Sequence, residues 1–559
     1  MKETSTRSGG HVLIDALKIH GAKTAFCVPG ESFLDALDAL YTERDSIKLV
    51  VCRQEGGAAY MAEAYGKLTG EPGICFVTRG PGATNASIGI HTASQDSTPL
   101  IVFVGQVARE TAGREAWQEI DYRQMFGNIA KWVDQIDDAR RIPEYVSRAF
   151  HIATSGRPGP VVLALPEDML VDQVSVADSP RYQRFETHPA PQVMTKLRSM
   201  LATAQRPLVM LGGGAWSDQA CKDIAQFAEN FNLPVACGFR RHDLMDHRHP
   251  NFAGEAGLGM DPRLAARITA SDLVIAVGPR LGETTTNAYS LFAIPKPVQQ
   301  LVHVHRDSGE LGRVYRADLM IHAGMDEFAS AARALEPMAS VPWEDWSAGA
   351  REDYRNNLKH TPVRRLVDMG EVMKHLRETL PADSIVVNGA GNYTLWVQRF
   401  YQYRGYRTQL TPTSGTMGYE VPASIAAKLV HPERTVVCFA GDGCFLMNGQ
   451  ELATARQHKL NVVFIVVNNG MYGSIRMHQE RHYPGRVSGS DLFNPDFVAL
   501  AKAYGASGEL VEDTVDFAAA FARARQHDGP ALIELRVDPD VITPRTTITA
   551  LRAQARPAN

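Results

Sequence analysis

Asp442 lies between two glycines at the end of the apolar run TVVCFAGDG (435–443), and a paired asparagine, Asn468-Asn469, closes the next run, NVVFIVVNN (461–469). A carboxylate and an amide oxygen at two strand ends are hard-oxygen ligands. Mg2+ favours such a set when phosphate oxygens complete its octahedron. Glycines flanking Asp442 let backbone N–H groups approach an anion, and a helix beginning near Met447-Asn448 would aim its N-terminus at the same place. The 26 residues between Asp442 and Asn469 are what one strand–helix–strand turn consumes, returning the second strand parallel to the first. Gly, Asp and Asn also favour turns for purely local reasons, so either end alone is ambiguous. Together, at this separation, they point to one metal and phosphate site.

The elements that must hold these residues are β-branched apolar runs alternating with helical stretches, the pattern of βαβ units on parallel sheets. They fall into three blocks. The first has KLVVCR (48–53), GICFVTRGPG (73–82) and PLIVFVGQ (99–106); the second has PLVMLGGGA (207–215), DLVIAVGPR (272–280) and VQQLVHVHR (298–306). The third has SIVVNGAG (384–391) and the two runs quoted above. Polar, Pro-containing stretches at 174–195 and about 337–362 read as linkers. The expected fold is therefore α/β, with three Rossmann-like or flavodoxin-like domains at residues 1–180, 190–340 and 360–545. Blocks one and three share the order strand, Gly-rich turn, helix, strand. In open α/β sheets ligands collect outside the carboxyl ends of the strands, where such turns lie.

Composition narrows the class. With 559 residues, 44% hydrophobic, 21% charged and a net charge of −4, the chain is long enough for about three or four domains. It carries no basic footprint for nucleic acid. No apolar run reaches the roughly 18 residues a membrane span needs, and the polar start MKETSTRSGG argues against a secretory signal. Seven scattered cysteines without a CxxC pair read as reduced core thiols, hence a cytoplasmic protein.

GDG with a paired Asn one βαβ turn later resembles the diphosphate-metal signature of thiamine diphosphate (ThDP) enzymes. RQEGGAAYMAEAYGKLTG, RGPGATNASIGIHTA, DSTPLIVFVGQV, RPGPVVLALPEDML and GTMGYEVPASIAAK look like the acetolactate synthase branch along nearly the whole chain. The resemblance implies an N-terminal pyrimidine-binding domain, a central domain and a C-terminal diphosphate-binding domain. It implies that Glu55 hydrogen-bonds N1′ of the aminopyrimidine and favours the imino tautomer, whose N4′ removes the thiazolium C2 proton. Gly415 would offer its carbonyl to the 4′-amino group, and Met417 would wedge between the two rings, a place that suits an adaptable thioether. Asp442, Asn469 and the Met471 carbonyl would hold Mg2+. Asn392, Gly441, Gly443, Cys444, Tyr472 and Gly473 would contact the diphosphate, with Cys444 standing where relatives often have a small hydroxyl.

Substrate positions depart from the branch. His478 stands where biosynthetic enzymes place a Trp that favours a larger 2-oxo acid acceptor. Glu31 in VPGES replaces a small residue, and a carboxylate there would repel a 2-oxo acid unless protonated or turned away. Arg280 matches an arginine that reads the acceptor's carboxylate, a task suited to its bidentate fork; His91, Gln106 and Gln479 are further candidates. GGGAWS (212–217) lacks GxGxxG with its acidic partner, His305 stands at the usual acidic strand end, and LGET replaces the motif after VGPR, so FAD is disfavoured. The histidines of RRHDLMDHRHP (241–250) read as a solvated loop rather than a metal site.

The resemblance thus implies a ThDP- and Mg2+-dependent homodimer or homotetramer with active sites at the subunit interface. It would decarboxylate a 2-oxo acid and ligate the product to a second carbonyl. A non-ligating decarboxylase and a hydroxyketone or diketone lyase stay open. So, in another class, does a non-catalytic ThDP-binding regulatory homologue, although intact Glu55, Asp442, Asn469 and GTMG argue against it.

Overall fold

The computed structural model describes residues 5–363 and 365–554. Its described strands build a short antiparallel pair, Arg7–Ser8 with Gln173–Val174, and three six-stranded sheets in which every neighbouring pair is parallel. The first runs, edge to edge, Lys48–Val51, Thr24–Cys27, Gly73–Val77, Leu100–Gln106, Pro160–Pro166, Trp132–Gln135. The second runs Phe252–Ala256, Val235–Gly238, Pro207–Leu211, Leu273–Val277, Gln300–His305, Leu319–His322. The third runs Gln409–Leu410, Ile385–Asn388, Val436–Gly441, Val462–Asn468, Ala531–Arg536, Ser507–Val511. Leu100–Gln106, Val436–Gly441 and Val462–Asn468 are buried at every position. Strands covered on both faces need no polar alternation, hence the unbroken apolar runs.

All nine expected runs form strands, and each sheet adds three more. The expected linkers differ. Helix Pro191–Thr203 begins inside the first, and helix Glu344–Asn357 fills much of the second, burying Ala350 and Tyr354. The histidine loop is not solvated. His242 and His247 are 0% and 2% exposed; His247 stacks on Phe252 with ring centroids 4.1 Å apart, and His242 Nε2 lies 2.8 Å from Glu255 Oε1. Polar composition misled there because the covering groups, including Tyr403, come from far along the chain.

The chain divides into two compact units. One comprises Met1–Phe185, Pro412–Glu433 and Asn448–Leu460; the other comprises Glu186–Thr411, Arg434–Met447 and Asn461–Asn559. In the first, helix Glu55–Thr69 is buried along most of its length and packs against helix Glu420–Val430. The Gln54 side chain caps it by accepting from Gly57 N–H, and Gly70, at φ +77, ends it. All seven cysteines are free. Among the described residues no helix is long and apolar enough to cross a membrane.

Candidate active site

In the second unit, Val436–Gly441 and Val462–Asn468 pair in register, with Gly441 opposite Val467, so both strands end at one edge. The helix after the glycine turn starts at Asp442 itself, earlier than the expected Met447-Asn448. An acidic residue in a first helical turn meets the positive end of the backbone dipole. Asn448, at φ −139, breaks the path and a second short helix follows.

The Asp442 carboxylate is 3% exposed. Its Oδ1 accepts from Gly443 N–H at 2.8 Å; its Oδ2 accepts from Gly470 N–H at 2.8 Å and Asn494 Nδ2 at 2.9 Å. Burial pushes its pKa above the usual carboxylate range, and these donors oppose that. The paired asparagines divide their roles, as successive side chains at a strand end point apart. Asn468 is buried, donating to Glu534 and accepting from Gly470 and Asn494. Asn469 is half-buried, with Oδ1 accepting from Met471 N–H at 3.2 Å. The backbone of Met471 bridges to Asp491 and Tyr472 N–H donates to the Ser490 carbonyl, which fixes the 471–473 segment before helix Gly473–His482.

The neighbours of this edge match the remaining candidates. A Cβ on Gly443 would fall 2.5 Å from the Tyr472 ring, which would have to move, and one on Gly441 would press on the Tyr393 ring at 3.1 Å. Cys444 Sγ donates to the Ala390 carbonyl, and Asn392 Oδ1 accepts from Ser474 Oγ at 2.8 Å. A single carboxylate surrounded by amide groups, with open space beside Gly470 where a Cβ would meet nothing within 4 Å, suits a divalent cation that brings its own phosphate oxygens. The edge therefore gathers Asn392, Gly441, Asp442, Gly443, Cys444, Asn469, Met471, Tyr472 and Gly473. It also contains Asn494, which sequence reasoning missed; an isolated Asn before a proline carries no periodic signal.

In the first unit, Glu55 is the opening residue of its helix and half-buried. Asn85 Nδ2 donates to its Oε2 at 2.9 Å. Gly415, at φ +70, is exposed, with open space where a Cβ would stand, and Met417 is half-buried. Their loop is tied down at both ends by buried charges. Asp96 accepts from Thr413 N–H at 2.6 Å and from its hydroxyl, and pairs with Lys67. Lys67 lies 3.3 Å from Glu63, which accepts from Tyr419 OH at 2.6 Å and Thr98 Oγ1 at 2.7 Å. Burial pushes the Glu63 pKa up, against the pull of Lys67. Tyr60 OH meets Thr416 Oγ1, and Asn448 Nδ2 donates to the Gly418 carbonyl.

The substrate candidates are divided between the two units. Glu31 is exposed and paired with Arg79. The Gln106 amide is committed to Ile120 and Val107, and His91 is exposed on helix Pro81–Asp96. Arg280, in the other unit, lies 3.6 Å from Glu310. Gln479 holds the Ser488 carbonyl and Ser490 hydroxyl. His478 is exposed; partial burial, then Arg481 and His482, lower its pKa. At the Gly-rich turn of the central sheet a Cβ on Gly213 would fall 2.1 Å from the Gly278 carbonyl oxygen, so that glycine serves close packing of two strand ends. His305 is buried there and bonded to Asp307 backbone groups.

Three family models match this chain in succession. They are the thiamine pyrophosphate enzyme N-terminal TPP binding domain over residues 7–125, the central domain over 194–332 and the C-terminal TPP binding domain over 389–535. Among curated relatives, the acetolactate synthase large subunit of Parasynechococcus marenigrum is 34% identical over 548 residues, covering 95% of this chain and 88% of the relative. The acetolactate synthase isozyme 2 large subunit of Escherichia coli K12 is 30% identical over 537 residues, covering 95% and 96%. The acetolactate synthase of Arthrospira platensis is 31% identical over 566 residues, covering 95% and 94%.

Proposed function

This chain belongs to the thiamine diphosphate-dependent enzymes, on their acetolactate synthase-like branch, and from that premise we propose that it decarboxylates a 2-oxo acid and joins the remaining acyl carbon to a second carbonyl compound. The observation that carries the reading is the Asp442 carboxylate, buried yet held by three donors at the edge where Asn469 and Met471 also end. Asp442, the Asn469 side-chain oxygen and the Met471 carbonyl would hold Mg2+. Asn392, Gly441, Gly443, Cys444, Tyr472 and Gly473 would hold the diphosphate, and Gly415 and Met417 the aminopyrimidine and the bend between the rings. Bound ThDP supplies the carbon nucleophile and the electron sink for decarboxylation.

The chain's own contribution is positioning and one proton contact. Glu55, oriented by Asn85, would hold a proton against the pyrimidine nitrogen. The buried Asp96–Lys67–Glu63 group fixes the loop that carries Gly415 and Met417. His478, Gln479, Glu31, Gln106, His91 and Arg280 would face the substrate. In this reading the domains span residues 1–180, 190–340 and 360–545, each containing one six-stranded sheet. This reading has no flavin in the central domain, supported by the packing role of Gly213 and the histidine at 305. The enzyme is cytoplasmic and at least a homodimer, with Glu55 of one subunit serving the cofactor of another.

The test is incubation of the purified protein with ThDP, Mg2+ and a panel of 2-oxo acids, following CO2 and ligated products. Release of CO2 with formation of a hydroxyketone or hydroxy-oxo acid supports the proposal. Cofactor binding without decarboxylation, ligation or cleavage of any substrate would overturn it in favour of a regulatory homologue.

A further inference from the structure

Glu31, Arg79 and Glu167 follow three strands of the N-terminal sheet, Thr24–Cys27, Gly73–Val77 and Pro160–Pro166, and Glu55 follows a fourth, Lys48–Val51. All four strands are parallel, so the four residues share the carboxyl edge. Their loops interlock through Thr78. Ser32 Oγ lies 2.9 Å from Thr78 Oγ1, and a Cβ on Gly30 would fall 2.4 Å from Thr78 Cβ. A Cβ on Gly82 would fall 2.8 Å from Thr78 Cγ2 and 3.5 Å from Glu55 Oε1. Thr78 is thus packed between the Glu31 loop and the Glu55 carboxylate.

Arg79, the next residue, is buried, and each of its three guanidinium nitrogens has a partner. Nε donates to the Trp117 carbonyl at 3.2 Å, Nη1 to Glu167 at 2.9 Å and Nη2 to Glu31 at 3.3 Å. The cation is already engaged by two carboxylates. One positive and two negative groups leave a net charge of −1, and the carboxylates are the outward members: the Arg79 side chain is 8% exposed, Glu31 61% and Glu167 41%. The exposed Trp117 ring lies 5.9 Å from the guanidinium and adds apolar surface.

Resting on the function proposed above, we infer that Glu31, Arg79 and Glu167 select the second substrate, admitting a neutral aldehyde in preference to a second 2-oxo acid. The donor's bond to its carboxylate breaks and CO2 leaves, with the electron pair retained at the former carbonyl carbon. That carbon bonds to the aldehyde carbon, and a solvent proton ends on the new hydroxyl: 2-oxo acid anion plus aldehyde plus H+ gives hydroxyketone plus CO2. Only this second half chooses between a charged and a neutral partner. Repulsion of the donor itself appears in its KM and cancels from the product ratio.

The experiment supplies ThDP, Mg2+, the best donor among pyruvate, 2-oxobutyrate and phenylglyoxylate, and benzaldehyde at equal concentration. Hydroxyketone and hydroxy-oxo acid are then quantified. The hydroxyketone is expected in excess. Glu31→Gln, which keeps the side chain's shape, should raise the hydroxy-oxo acid share on the order of tenfold. Glu167→Gln should move it the same way, and Glu31→Asp should restore the original ratio. Added salt should shift the unsubstituted protein towards the Glu31→Gln ratio. Preferred joining of two 2-oxo acids, CO2 release with no ligation, or a ratio unmoved by Glu31→Gln would each overturn the inference. Absence of CO2 from every donor would instead remove the function on which it rests.

Discussion

Asn494 Nδ2 lies 2.9 Å from Asp442 Oδ2 and 3.0 Å from Asn468 Oδ1, so one amide ties the buried carboxylate to the end of the neighbouring strand. A group that orients a metal ligand without touching the metal tunes affinity more than chemistry. Asn494→Ala is expected to raise the Mg2+ concentration for half-maximal activity about 10–100-fold, with little change in turnover at saturating Mg2+. Titration of the metal-free protein with Mg2+ at fixed ThDP checks this; an unaltered midpoint would contradict the assignment.

Glu55 bonds Asn85 within its own unit and, among the described residues, has no ion pair to lose. Glu55→Gln should therefore fold normally and bind ThDP with Mg2+ within a few-fold of the original, while turnover falls roughly 10²–10⁴-fold, the usual span of a proton-transfer contribution. Full activity in this variant would end the proposed role of the glutamate.

Asp96 anchors the cofactor loop through Thr413 and meets Lys67. Asp96→Asn takes one of its buried carboxylate partners from Lys67, which keeps Glu63 and the Tyr419 ring. Breaking a buried pair costs up to about 3–5 kcal/mol, visible as a lower unfolding midpoint. The diagnostic effect is on the cofactor: the ThDP midpoint should rise while turnover at saturating ThDP holds. Loss of stability without that rise would make the group merely structural.

His478 is exposed on the helix that follows the Asn469–Tyr472 segment. His478→Trp is expected to shift the preference between two 2-oxo acid acceptors about tenfold, the scale of a pocket contact, without altering ThDP affinity. Competition between pyruvate and 2-oxobutyrate as acceptors measures it, and equal product ratios before and after would sink the assignment.

Burial, followed by neighbouring His242, lowers the His247 pKa to about 3, and burial with His303 lowers that of His305 to about 4. Unfolded histidine takes its proton near pH 6.5. Between these values the unfolded chain binds more protons than the folded one, so stability rises with pH and is lost progressively below about 6.5. Urea unfolding midpoints at pH 8, 6.5 and 5 should fall in that order; equal midpoints would refute the buried, neutral state.

That Asp442 and Asn469 end at one sheet edge was legible because they lie one βαβ turn apart, in residue types with few substitutes. Gly443 faces the Tyr472 ring closer than a Cβ tolerates without a shift, and Gly441 sits tightly against the Tyr393 ring, a constraint that shows directly as GDG. Asn494 was not legible, since it arrives from a loop with no periodicity. Strands such as Gln409–Leu410, two residues long, and Ser507–Val511, half-exposed with a glycine, give too little apolar pattern to register. The substrate side stayed obscure for another reason. Glu31 is held by Arg79, 48 residues away, with its carboxylate still outward. Such a pairing depends on which strands are neighbours, and no local window of sequence contains that order.

The first unit takes its final pieces from Pro412–Glu433 and Asn448–Leu460, which has a consequence for synthesis on the ribosome. Some 275 residues separate Phe185 from Leu460, and at about 5–20 residues per second that interval lasts roughly 15–55 s. For most of it, until residues 419–430 are made, the nascent chain carries helix Glu55–Thr69 without the helix Glu420–Val430 that packs against it, leaving Tyr60 without its ring contact to Tyr419. An apolar face left open for that long is a natural substrate for chaperones. Release of the growing chain before residue 460 would produce a fragment prone to aggregate rather than a working N-terminal half.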